Sequence, residues 1–232
     1  MMRILGIIPA RGGSKGVPRK NLSDICGKPL ISISIDFGNK LVENGILSRC
    51  IVSTDDKEIM EVSKSFGADV PFLRPEEAAS DTAKAIEYVV HALESLESPD
   101  NKYDAIMILQ PTSPCRNIES ITEAITRLNE SEADSLISCY REEYINDLVM
   151  YRECGEGRIK PINPDHNKGV RRQEHEINMV RNGCVYVVKT PYLRTTGQLV
   201  CDQPVLLEMS KINSIDIDTF DDLTILRALL CK

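Results

Sequence analysis

Ile4-Leu5-Gly6-Ile7-Ile8-Pro9 runs directly into Ala10-Arg11-Gly12-Gly13-Ser14-Lys15-Gly16-Val17-Pro18-Arg19-Lys20-Asn21. The first part is a continuous apolar run, the pattern of a strand covered on both faces in a parallel sheet. The second part carries three glycines, which let backbone approach a ligand and present amide donors to it. Between residues 11 and 28 five cations (Arg11, Lys15, Arg19, Lys20, Lys28) stand against one acid, Asp24. The chain as a whole has a net charge of −7. A local reversal of sign at a strand's carboxyl end points to a bound polyphosphate; the alternative is a solvated basic turn. It is not a Walker A loop, because no Gly-Lys-Ser/Thr closes it. It is not the dinucleotide fingerprint either, because the glycines fall at 12, 13 and 16.

Outward from this loop, apolar runs alternate with amphipathic stretches. The pattern predicts helices over 29–44, 56–66, 83–97 and 117–130, and strands at 50–53, 68–72 and 104–109. Such alternation predicts an α/β fold: a mostly parallel sheet flanked by helices, with its ligand crevice beyond the strands' carboxyl ends. After residue 134 the pattern changes. Residues 135–140 read as a strand, but 141–181 are rich in Arg, Glu, Asn and Pro and predict a small β-rich lobe or a dimerisation arm. Strand pattern returns at 185–188, and 223–230 closes with a helix.

The 232 residues suit a single domain over 1–232 with an inserted lobe at 141–181. An acidic chain lacks the basic footprint of a nucleic-acid binder, so no nucleic-acid partner is expected. No apolar run is long enough to span a bilayer, so no membrane partner is expected. The N-terminus is too short and too quickly polar for a signal peptide. The eight cysteines include no Cys-x-x-Cys pair and are read as reduced thiols in a cytoplasmic protein. His91, His166 and His175 lack metal-ligand spacing.

Asp216 and Asp218 sit two apart, which on an extended chain turns both carboxylates to one side. A divalent cation is one reason to hold two acids so; the other reading is a pair of solvated acids at a helix start. Asp221 and Asp222 suit that helix start. Gln110 follows the strand at 104–109, where its amide can hold a hydroxyl or carbonyl.

Ala10 to Gly16 with Lys20-Asn21 resembles the signature of the sialic-acid-type cytidylyltransferases, enzymes that act on N-acylneuraminate and other nonulosonic acids. Gln110-Pro111-Thr112-Ser113-Pro114 resembles that family's second motif. Arg171-Arg172-Gln173 and Asn182-Gly183-Cys184-Val185-Tyr186 resemble its third region, and Ser214 to Thr219 its metal motif. The resemblance implies a Rossmann-like nucleotidyltransferase fold and a magnesium- or manganese-dependent transfer of CMP from CTP to an acid sugar. It implies nucleotide contacts from Ala10, Arg11, Gly12, Gly13, Ser14, Lys15, Lys20, Asn21, Arg74 and Ala83. Sugar contacts are implied from Gln110, Thr112, Ser113, Arg172, Gln173 and Tyr186. Catalytic roles fall on Lys20, Arg11, Arg172 and Asp216, and metal ligation on Asp216 and Asp218. A homodimer is implied, with the 141–181 excursion reaching across to the partner. Leu199 and Val200 stand where aromatic residues face the N-acyl pocket in sialic-acid enzymes, and Ala85 replaces a hydroxyl found in some relatives. A cytidylyltransferase for another acid sugar such as Kdo, and a nucleotide-binding scaffold without turnover, are the alternatives.

Overall fold

The computed structural model describes residues 2–14, 16–80, 83–168 and 177–231. In chain order the elements are β1 (Ile4–Pro9), β2 (Asp24–Ile25), β3 (Lys28–Pro29), α1 (Leu30–Glu43), β4 (Arg49–Ser53), α2 (Lys57–Ser65) and α3 (Ala85–Leu96). There follow β5 (Ala105–Leu109), α4 (Ile118–Glu130), β6 (Ser135–Glu142), β7 (Tyr151–Glu153), β8 (Ile159–Pro161), β9 (Asn178–Lys189), α5 (Thr190–Thr196), β10 (Val205–Met209) and α6 (Phe220–Leu230). Six strands form one sheet in the order β10-β6-β9-β5-β1-β4. All neighbours are parallel except β9, which runs antiparallel to both β5 and β6.

The unbroken apolar run of β1 is explained by burial on both sides. Ile4 and Ile8 face a core shared with Ile31 and Ile35 of α1 and Ile121 and Leu128 of α4. Leu5 and Ile7 face the opposite core, with Val89 and Leu93 of α3 and Leu193 of α5. A third, smaller core joins Val17, Ile25 and Leu30 to Ile217, Leu223 and Leu226. Burying an aliphatic side chain stabilises by about 1.5–3 kcal/mol. Here that gain clamps the glycine-rich loop, through Val17, to the acidic segment, through Ile217.

The expected strand at 68–72 is reduced to single bridges, Ile51 to Asp69 and Thr54 to Leu73. Pro71 has no amide to donate to a ladder. The expected excursion is narrower than 141–181: β6 runs through Glu142 and β9 begins at Asn178, so both ends belong to the sheet. Between them β7 and β8 form a two-stranded ribbon. The strand β10 and the short helix α5 were not expected, and α6 starts at Phe220, where Asp221 and Asp222 fall in its first turn as expected. The reading of all cysteines as free thiols is corrected by a disulfide between Cys26 and Cys231. It fastens the β2–β3 turn to the end of α6, and Arg227 reinforces the same contact by donating to the Asp24 carbonyl at 2.9 and 3.0 Å.

Where the chain leaves β6, Glu142 is an anchor. Its side chain is 1% exposed, and it accepts hydrogen bonds from Tyr144 N (2.8 Å), Ile145 N (3.2 Å) and Lys211 Nζ. The Lys211 hydrogen bond foremost, with those amides, lowers the carboxyl from its ordinary 4.5 to about 2. A depressed carboxyl stabilises fully above its unfolded-state pKa and loses that contribution as pH falls through the folded value. The Tm difference between the wild type and Glu142→Gln is therefore expected to hold steady from neutral pH to about 5 and to shrink below it. A difference that stays constant down to pH 2 would show that the carboxylate is not the anchor.

Candidate active site

A cleft of about 420 Å³ opens beyond the carboxyl ends of β1, β4 and β5. Of the expected site residues, Arg11, Ser14, Lys20, Asn21, Arg74, Ala83, Gln110, Thr112 and Asp218 line it, as do Gly16 and Ala85. Segments separated by two hundred residues thus meet around one space.

The glycine-rich loop is fixed at both ends. Ala10 N donates to Ser53 O at 2.9 Å, so this amide is spent on extending the sheet. Gly12 N donates to Asp55 Oδ1 at 3.0 Å. The Gly12 amide, expected to face a nucleotide, is thus held by the protein itself. Asn21 Nδ2 donates to Arg11 O at 3.2 Å and closes the loop on its own start. Arg19 departs from the count of phosphate-facing cations: it adopts a left-handed backbone (φ 56°) and forks onto Asp56 and Glu58 at the start of α2. The Arg19 hydrogen bond holds the Asp56 carboxyl below its usual range. Asp56 also caps α2, accepting from Ile59 N at 2.9 Å. Arg11 and Lys20 remain as loop cations in the cleft wall; Lys28 lies exposed in β3. Lys15, Arg172 and Gln173 lie outside the described residues.

Lys20 is the junction between the first and last motifs. Its Nζ donates to Asp218 Oδ1 at 2.9 Å and to the Ile217 carbonyl. Ile217, fully buried, donates its own amide to Thr112 O at 2.9 Å. Asp218 N donates to Asp222 Oδ2 at 3.0 Å, and Asp222 completes a capping box with Thr219. Burial works against the Asp222 carboxylate, yet the Thr219 and Asp218 hydrogen bonds keep its pKa below the ordinary value. Asp222 therefore holds the backbone of Asp218 in place as well as starting α6.

Asp216 does not line the cleft. It accepts from Ser113 Oγ at 3.2 Å, and Ser113 is buried beside Asn182, to whose carbonyl it donates at 3.4 Å. Asn182 in turn donates to Ser214 Oγ at 2.8 Å and accepts from Ser138 Oγ at 2.6 Å. The second, third and fourth motifs are thus locked in one polar network next to the cleft. Tyr186 also stays out of the cleft wall; its ring packs on the core shared with α3, with the Arg181 guanidinium 5.9 Å from its centroid.

Two residues were missed by sequence reasoning. Arg116 is half-buried and bonds Cys184 O (3.3 Å), Ser34 Oγ (3.0 Å) and the Gln110 carbonyl. It pairs with no carboxylate among the described residues, and burial pulls its pKa down. It ties the end of β5 to β9. Tyr88, from the first turn of α3, lines the cleft with the Arg74 guanidinium 4.8 Å from its ring centroid. Arg74 is itself 5% exposed and anchored on Ser53 Oγ at 3.1 Å.

The cleft wall carries the cations Arg11, Lys20 and Arg74 against the acid Asp218, a balance suited to a polyanion. Among the described residues no group of three or more His, Cys, Asp or Glu converges. Magnesium needs only one or two carboxylates when phosphate oxygens and water complete its shell. Asp218, exposed at the cleft with its second oxygen unbonded to Lys20, fits that need, and Asp216 is its neighbour across Ile217.

A family model described as Cytidylyltransferase matches residues 5–213. The pseudaminic acid cytidylyltransferase of Campylobacter jejuni is 38% identical over 150 residues, 65% of this chain and 63% of that one. The matched stretch thus spans less than two thirds of that relative. The CMP-N,N'-diacetyllegionaminic acid synthase of Legionella pneumophila is 32% identical, with 94% of this chain and 92% of that one covered. A solved structure of CMP:2-keto-3-deoxy-manno-octonic acid synthetase complexed with CTP superposes with a TM-score of 0.71 over 99% of this chain and 98% of that one. At 18% identity it speaks to fold alone. With the motifs joined around one cleft and the match running through nearly all of it, the chain belongs to the cytidylyltransferase family, the sialic- and nonulosonic-acid group that its motifs resemble.

Proposed function

We propose that this chain transfers CMP from CTP to the anomeric hydroxyl of a nonulosonic acid, releasing pyrophosphate. The observation that carries the reading is the contact of Lys20 with Asp218 inside a cleft whose other charged lining is cationic. The anomeric oxygen forms a bond to the α-phosphorus, the bond to the bridging oxygen breaks, and its electron pair leaves with pyrophosphate. Arg11 and Lys20 meet the charge that builds on the departing group. Asn21, Arg74 and Ala83 surround the nucleoside end. Gln110 and Thr112 hold the acceptor, with Ser113 and Tyr186 behind them. The acceptor carboxylate is assigned to Arg172, whose guanidinium can match it in two-pronged fashion, and Gln173 is assigned to the same sugar.

Magnesium or manganese belongs to this reading, held by Asp218 and Asp216; bound there it would neutralise phosphate charge and acidify the attacking hydroxyl or an intervening water. A homodimer belongs to it too, supported by the exposed Tyr144, Ile145, Val149, Met150 and Ile159 between β6 and β9. No helix among the described residues is long and apolar enough to cross a membrane, and a cytoplasmic site of action follows from the nucleoside triphosphate substrate.

The test is pyrophosphate release with CTP, magnesium and sialic, legionaminic, pseudaminic and Kdo acids. Release with at least one nine-carbon acid is expected. Release with Kdo alone would move the acceptor to that class. CTP binding without release from any acid would favour a scaffold.

A further inference from the structure

Tyr88 is 7% exposed, and its ring belongs to the core formed with Val89 and Ile108. Its hydroxyl is buried and makes no hydrogen bond of normal geometry, yet the residue lines the cleft. Burial pushes the phenol well above its ordinary pKa, with the Arg74 charge and the nearby Gln110 amide acting the other way; it is a neutral group, able to donate and accept. A buried hydroxyl left unpaired works against folding, and phenylalanine would fill the same place without that cost. The Gln110 amide stands near the oxygen but makes no hydrogen bond of normal geometry with it, so folding of the empty chain leaves the hydroxyl poorly satisfied, whereas a ligand in the cleft can complete it.

The surroundings tell which ligand group it meets. Arg11 and Lys20 are committed to phosphate charge. Tyr88 instead shares its apolar cluster with Tyr186 and Leu199 and neighbours Gln110, three residues read above as acceptor-side, while its ring lies under the nucleoside-side Arg74, 4.8 Å from that guanidinium. A neutral phenol beside an amide suits a polyol. We propose that Tyr88 is a specificity-determining residue whose hydroxyl pairs with a hydroxyl of the acceptor sugar, beside Gln110. This rests on the cytidylyl-transfer reading above.

The experiment compares wild type and Tyr88→Phe for Tm and for steady-state kinetics, using the acid that the wild type turns over best. The expected result is a Tm equal to or above that of the wild type, a KM for the acid raised about tenfold and an unchanged KM for CTP. A raised KM for CTP with an unchanged acid KM would overturn the proposal by moving the hydroxyl to the ribose. A lowered Tm with wild-type kinetics would overturn it by making the hydroxyl structural, and unchanged values of all three would overturn it outright. A wild type inactive with every acid would overturn the transfer reading and this proposal together; an active wild type matched by Tyr88→Phe overturns this proposal alone.

Discussion

Lys20→Met is expected to lower turnover of CTP by about a hundred- to a thousandfold, the usual cost of removing one fixed electrostatic stabiliser from a transition state. The ammonium has three donors, and two of them are spent on Asp218 Oδ1 and the Ile217 carbonyl. The third remains for the nucleotide phosphates. Its side chain is 13% exposed while that of Asp218 is 74% exposed, so the charge is held where water screens it weakly and can still reach the cleft. Methionine keeps the apolar stem, which limits the loss of packing. Asp218 is solvated well enough to lose its partner at little cost, so stability is expected to fall by only about 1 kcal/mol. The measurement is kcat at saturating CTP, set beside Tm for the same variant. A kcat within tenfold of the wild type would assign the ammonium to joining two segments and remove it from the chemistry.

How much of this was legible in the sequence differs by the range of the forces involved. The apolar run of β1 and its following glycines could be read because strand burial and loop chemistry are local patterns. Helix starts are local too: Asp56 caps α2, and Asp221 and Asp222 fall in the first turn of α6. Residues 68–72 misled because β-branched and aromatic content outweighed Pro71, which cannot join a ladder. The edge strand β10 escaped because it is only partly buried and takes its place from pairing with β6. Arg19 was counted with the phosphate cations; only the folded chain brings Asp56 and Glu58 to it. Arg116 carries no motif signal of its own, since its importance lies in carbonyls of Gln110 and Cys184 that chain folding brings to it. The bond between Cys26 and Cys231 spans 205 residues, and cysteine spacing cannot indicate a pairing over that distance. The first, second and last motifs do border one cleft, but motif order gave no sign that Asp216 would pair with Ser113 while Asp218 alone entered the wall.

Gly16→Ala tests that meeting directly and is expected to lower kcat/KM by more than about a hundredfold, the scale of an ångström of misplacement in an active site. A Cβ at Gly16 would lie 2.1 Å from the Asp218 carbonyl oxygen and 3.3 Å from its carbon. Ordinary contact between such atoms needs about 3.5 Å, so one of the two backbones must retreat by more than an ångström. Neither has easy room. The acidic segment is held by Ile217 N on Thr112 O, by Asp218 N on Asp222 and by the buried Ile217 side chain. The loop is held by Arg19 on Asp56 and by Val17 in the same small core. Whichever side yields, the Lys20–Asp218 contact opens and the cation and carboxylate no longer face one triphosphate. Gly12→Ala provides the contrast: its Cβ would meet Asp56 Oδ2 at 2.7 Å and Cβ at 3.0 Å, a milder approach, to a side chain rather than to backbone, so a smaller loss is expected. Wild-type kcat/KM in Gly16→Ala would mean that the glycine-rich loop and the acidic segment do not touch in solution, and the joined site would fall with that contact.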